Sequence, residues 1–117
     1  MSDFLEQFRM AGGDVEGVME RFMEDEELLR DCLAQFMAED DFSKLKEAIL
    51  GQNYKEAFEY AHALKGVIGN LGIIPMYTPL CTLVESLRGE SYNNLPEQLE
   101  AVLKEYVVFT EKYKDMV

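Results

Sequence analysis

Residues 53–72 read NYKEAFEYAHALKGVIGNLG, and this stretch decides both the fold class and where function is to be sought. At about 100° per residue, Tyr54, Ala57, Ala61, Leu64, Ile68 and Leu71 fall within a sector of about 80°, the buried stripe of an amphipathic helix over 53–71. Gly72 is placed to end that helix as a left-handed cap. His62, the single histidine of the chain, lies about 130° from the centre of the stripe, so its imidazole is expected to face solvent. Lys55, Phe58, Glu59, Lys65, Gly66 and Gly69 surround it on the outer face. An interior glycine costs a helix about 1 kcal/mol relative to alanine. Gly66 and Gly69 beside the only imidazole therefore need a reason, and close approach by another molecule is one.

The flanking segments carry the same helical period. Towards the N-terminus, Phe4, Leu5 and Phe8 line one side of a short helix within 3–10 that Gly12-Gly13 ends. Asp14 is expected to cap a second short helix bearing Val15, Val18, Met19 and Phe22, the two together forming a lid on the main body. From Asp25 the apolar positions are Leu28, Leu29, Cys32, Leu33, Phe36 and Met37, with acidic residues in the first turn where the helix dipole favours them. The cluster Glu39-Asp40-Asp41 interrupts the stripe, and a break is expected near residue 40. A further helix then carries Phe42, Leu45, Ala48 and Ile49, and Gly51-Gln52-Asn53 closes it.

Beyond Gly72, Pro75 and Pro79 leave two registers open. Either Thr78 caps a helix that starts at Pro79, or the helix starts near Pro75 and bends at Pro79. Its apolar face is Leu80, Leu83, Val84 and Leu87, and Gly89 stops it. Asn93 or Asn94 is expected to cap the last helix, whose stripe is Leu95, Leu99, Val102, Leu103, Tyr106, Phe109 and Tyr113. No segment alternates as a strand does, and no repeat of 20–50 residues is present. The expected fold is all-α: one domain over 1–117, an up-down-up-down four-helix bundle over 25–115 with additional short N-terminal helices in 1–24.

Composition agrees with this class. A chain of 117 residues with 48% hydrophobic and 29% charged residues is large enough to bury a core without disulfides or metal. Its 23 acidic against 11 basic residues give a formal net charge of −12, which disfavours nucleic acid and anionic membrane surfaces as partners. Cys32 and Cys81 belong to no CxxC pair and read as reduced core residues. No signal peptide and no apolar run of about 18 residues occurs, so a soluble cytoplasmic protein is expected.

A solvent-facing imidazole is a nucleophile at neutral pH, because its ordinary pKa of about 6.5 leaves most of it unprotonated. Attack on a phosphoryl group asks little else of the protein that carries it. Lys65, one turn along on the same side, is placed to reach phosphoryl oxygens as a point charge. Gly66 and Gly69 remove side chains that would shield the imidazole from a partner's concave site. These features suit a phosphate-accepting histidine exposed for docking. Glu59 is placed to hydrogen-bond the imidazole, although a solvated carboxylate is the simpler reading. No second histidine or spaced ligand set exists for a metal or haem, and no Walker-type loop or Ser/Cys–His pair is present, so no cofactor is expected in this chain.

The pattern H-x-L-K-G-x-x-x-x-L-G, here His62-Ala63-Leu64-Lys65-Gly66 through Leu71-Gly72, resembles the signature of histidine-containing phosphotransfer (HPt) domains, and the likeness extends from about Asp14 to Leu87. The resemblance implies a phosphocarrier and not an enzyme: His62 would exchange a phosphoryl group with the aspartates of receiver domains in a multi-step His–Asp relay. Lys65 would be the phosphate neighbour and Gly66 the docking clearance, with Gly69, Glu59 and Phe58 completing the docking face. The implied partners are response-regulator receiver domains, which would bring Mg²⁺ and the catalytic carboxylates, and a hybrid histidine kinase; the carrier itself is expected to be monomeric. Val67 and Ile68 stand where the family commonly has Ser or Ala, a departure that bears on which receiver is recognised. Two other readings use the same residues: an adaptor that binds a receiver without transfer, and the detached phospho-accepting domain of a chemotaxis-type kinase.

Overall fold

The computed structural model describes residues 2–117, which form seven helices: α1 (Asp3–Met10), α2 (Val15–Arg21), α3 (Glu26–Ala38), α4 (Asp41–Leu50), α5 (Tyr54–Leu71), α6 (Ile74–Arg88) and α7 (Leu95–Tyr113). Among the described residues no strand forms; one isolated antiparallel bridge joins Gly13 to Ile73. The protein is all-helical, and no described helix is long and apolar enough to cross a membrane.

Three helices start where a short polar side chain replaces a missing backbone partner. Ser2 Oγ accepts from Leu5 N at 3.1 Å, Asp14 Oδ1 from Gly17 N at 3.2 Å and Asp25 Oδ1 from Leu28 N at 3.0 Å. Glu39 leaves the helical region (φ −88°, ψ 156°), which separates α3 from α4 at the acidic cluster. Residues 25–115 therefore hold five helices, α3 to α7, with the expected break near residue 40 between the first two. Of the two registers open around the prolines, the structure takes the longer: Pro75 sits in the first turn of α6 and Pro79 inside the helix. Asn94 occupies the N-cap position of α7 without a side-chain cap bond, and a proline fills the first turn, where a missing N–H costs nothing. The turns after α4 and α6 take their positive φ at Gln52 (60°) and Glu90 (56°), while Gly51 and Gly89 keep negative φ.

α5 packs against α4 and α6, α6 packs against α7, and α4 also meets α7. One hydrophobic cluster runs from Phe4 to Met116, with Leu45, Ile68, Met76, Leu80, Leu83 and Val102 wholly buried. Full burial of each such side chain contributes about 1.5–3 kcal/mol. Phe42 lies 4.5 Å from Tyr106 and meets Phe36 edge-on at 6.3 Å, so an aromatic group ties α3 and α4 to α7. The N-terminal segment docks on the bundle at several points, two of them involving α1 and the start of α2. Phe8 of α1 meets Phe109 of α7 edge-on at 6.4 Å, and the chain before α2 binds the α5–α6 turn through Asp14 N donating to Gly72 O at 2.9 Å. Cys32 and Cys81 are unpaired and half-buried, less enclosed than the core positions expected of them.

That α5–α6 turn is a Schellman motif. Gly72 is left-handed (φ 69°, ψ 28°), its N–H bonds Gly69 O at 3.2 Å, and Ile73 N bonds Ile68 O at 3.3 Å, with Ile68 and Ile73 both buried. A Cβ on Gly72 would also lie 2.3 Å from Val18 Cγ2 of α2. Gly66 is the opposite case, with nothing within 4 Å of an added Cβ. Gly72→Ala is expected to lower unfolding free energy by about 2 kcal/mol or more through strain and clash. Gly66→Ala is expected to raise it by up to about 1 kcal/mol through helix propensity. Urea denaturation followed by circular dichroism measures both.

Candidate functional site

Burial of Ala57, Ala61, Leu64, Ile68 and Leu71 fixes the rotation of α5, and the residues between them consequently face outward. His62 is exposed and has no hydrogen-bond partner among the described residues. Its ring lies alongside Phe58, one turn earlier, with centroids 5.6 Å apart and planes 29° apart. The Arg88 guanidinium of α6 sits over the same Phe58 ring at 5.2 Å. Lys65 is half-buried and forms no ion pair among the described residues, unlike Arg9, Arg30, Lys44, Arg88 and Lys114.

His62, Lys65, Gly66 and Gly69 line one groove of about 560 Å³, closed by Ile74 and Tyr77 of α6 and by Asp14 and Arg21 of the N-terminal segment. A second groove of about 520 Å³, between α3 and α5, is lined by Cys32, Gln35, Phe36, Val67 and Gly66 among others. Gly66 thus lies on a bare ridge between two depressions. Phe58 and Glu59 line a third hollow with Tyr54, Arg88 and Tyr92, on the other side of His62 along the helix. Glu59 is exposed and makes no hydrogen bond to the imidazole. Val67 is 45% exposed and Ile68 fully buried.

Gly69 differs from the outer-face position the helical wheel gives it. A Cβ there would lie 2.8 Å from Tyr77 Cε1, so this glycine makes room for an aromatic ring of the same chain. The reason is the tight α5–α6 turn, which brings the first turn of α6 beside the last turns of α5. The neighbouring Cys81 thiol, one turn along α6, raises the pKa of the Tyr77 phenol above its ordinary value.

Arg21 and Tyr77 are the groove residues that the helical pattern does not single out. Arg21 Nε donates to Asn70 O at 3.1 Å and Nη2 to Gly69 O at 3.2 Å, satisfying carbonyls at the C-terminus of α5. Its partners are backbone atoms more than forty positions away, and a carbonyl leaves no mark in the sequence. Tyr77 could have been found by asking what fills the space opposite an interior glycine. Among the described residues, no group of three or more His, Cys, Asp or Glu side chains is arranged to hold a metal ion.

Neither the curated proteins nor the solved structures gave a significant match to this chain. The family model for the Hpt domain matches residues 27–108, from the start of α3 into α7 and across the whole of α5. Since that match spans well over half of the chain, the protein belongs to the Hpt domain family, the histidine phosphotransfer domains of phosphorelay signalling, which act as phosphocarriers and interact with receiver domains.

Proposed function

We propose that His62 is the phospho-accepting residue, taking a phosphoryl group from a receiver-domain aspartate and passing it to a second receiver. The observation that carries this reading is the outward imidazole on α5, free of hydrogen bonds among the described residues, one turn from Lys65 and bordered by the empty space over Gly66. In the forward step a ring nitrogen of neutral His62, Nε2, attacks phosphorus in line. The N–P bond forms as the P–O bond to the aspartate breaks, and the carboxylate leaves with the electron pair. The proton on Nδ1 stays, so the ring becomes an imidazolium whose charge balances one phosphoryl oxygen. Transfer onward is the same step reversed on another carboxylate.

This chain's own contribution is positioning and charge. Lys65 sets an ammonium beside the phosphoryl oxygens, Phe58 holds the face of the imidazole, and Gly66 lets the receiver's concave site descend onto the ridge. The receiver would bring Mg²⁺ and the acidic residues that hold it. The carrier acts as a cytoplasmic monomer and a single domain over 1–117. In this reading α4 to α7 form the up-down-up-down bundle, supported by the short connections and by contact of α4 with both α5 and α7.

Incubation with receiver domains of the same genome, phosphorylated with acetyl phosphate, is expected to give an acid-labile, base-stable label on the wild type and none on His62→Gln. Binding without label would favour the non-transferring adaptor. Label from ATP plus a kinase, with none from any receiver, would favour the kinase-derived domain.

Lys65→Ala is expected to slow transfer about tenfold, the loss of one charge-assisted contact, while the melting temperature moves by no more than about 2 °C. Gly66→Leu is expected to keep or raise thermal stability and to abolish receiver binding by bulk. Stopped-flow transfer and calorimetric melting of the same samples check both; unchanged receiver affinity in Gly66→Leu sinks the clearance argument.

A further inference from the structure

Part of the His62 groove comes from outside the residues that match the family. Asp14 and Arg21 precede residue 27, and the N-terminal segment carries them to the wall of the groove. The Arg21 side chain is exposed, and its Nε and Nη2 are held on Asn70 O and Gly69 O. A guanidinium has five N–H donors, so these two bonds fix the fork and leave the remaining donors for a partner. Arg21 forms no ion pair among the described residues, and Asp14, the acid in the same groove, caps α2 through its Oδ1.

Position separates Arg21 from the phosphoryl chemistry. Gly69 lies seven residues beyond His62, about 10 Å along the axis at 1.5 Å per residue. Helical side chains lean towards the N-terminus, and the His62 ring does so, lying beside Phe58. A phosphoryl group on His62 therefore sits away from Arg21, while Lys65 lies between them. Among the charged side chains lining the groove, Lys65 and Arg21 outnumber Asp14, so in a chain of net charge −12 this wall carries a local positive excess.

We propose that Arg21 is a specificity-determining docking residue: it pairs with a carboxylate on the receiver surface about 10 Å from the transferring phosphoryl group. This rests on the transfer reading above. The guanidinium is already held by two backbone bonds, so little side-chain freedom is lost when a carboxylate binds it bidentately. The contact raises the encounter rate and selects receivers with an acid at that place, without touching the reacting atoms.

The test compares the wild type with R21Q, R21E and R21K, using acetyl-phosphate-charged receivers and measuring kcat, KM and melting temperature from low to high salt. For the receiver that labels the wild type best, R21Q is expected to lower kcat/KM about three- to tenfold at low salt through KM, with the gap closing at about 0.5 M salt. R21E should lose more. R21K keeps the charge without the fork and should retain most of the low-salt rate. A lysine in place of the facing receiver carboxylate should restore R21E. The proposal is overturned if R21Q lowers only the melting temperature, if R21K behaves as R21Q does at low salt, or if the losses are independent of salt. A wild type that no receiver labels overturns the transfer reading itself, and that failure shows in the wild-type arm before any Arg21 variant is compared.

Discussion

The rotation of α5 about its own axis is the constraint on which the rest depends. Ala57, Ala61, Leu64, Ile68 and Leu71 make a narrow seam, with two alanines that let α4 and α6 come close. A slip of one residue turns the helix by about 100° and would carry an imidazole or an ammonium towards the core, where an unpaired charge costs several kcal/mol. The apolar seam thus sets the outward direction of His62 and Lys65 without any contact to either. The family match over 27–108 covers this seam and the helices that receive it.

The groove beside His62 is a consequence of how α5 ends. A left-handed Gly72 turns the chain within two residues, so α6 starts alongside the helix it has just left. The last carbonyls of α5 need donors, and they find them in Gly72 N, Ile73 N and the Arg21 side chain. The same turn accepts Asp14 N on the Gly72 carbonyl. Three stretches of chain therefore meet at one corner, and the depression between them holds the ring of Tyr77, the guanidinium of Arg21 and the side chain of Lys65.

Most of the helical pattern is legible in the sequence because one-sided burial writes itself into spacing. The stripe of α5, the caps at Asp14 and Gly72, the break near residue 40 and the exposure of His62 all follow from residues local to each feature. What escapes the sequence is set by contacts between distant segments. The choice of Pro75 over Pro79 as helix start depends on how the α5–α6 turn closes. Arg21 escapes because its partners are carbonyls, and Gly69 because the ring that excludes its side chain belongs to the next helix. The separation of α3 from α4 is visible as an acidic cluster, and the extended backbone at Glu39 is where it falls.

Gly66 and Gly69 look alike in the sequence and differ in physics. Each gives up about 1 kcal/mol of helix propensity, but Gly69 is compensated within the chain by the packing of Tyr77, and Gly66 by nothing in it. The inference that an interior glycine beside the histidine marks the approach of another molecule therefore rests on Gly66 alone. That narrows the proposed docking surface to the ridge from His62 to Gly66 and the two grooves beside it. Phosphoryl transfer asks the same of every carrier at the ridge: an exposed nitrogen, a nearby cation and clearance. Discrimination between receivers must then come from the groove walls, where one side carries Val67 on the family's own helix and the other carries Arg21 from a segment the family model does not reach.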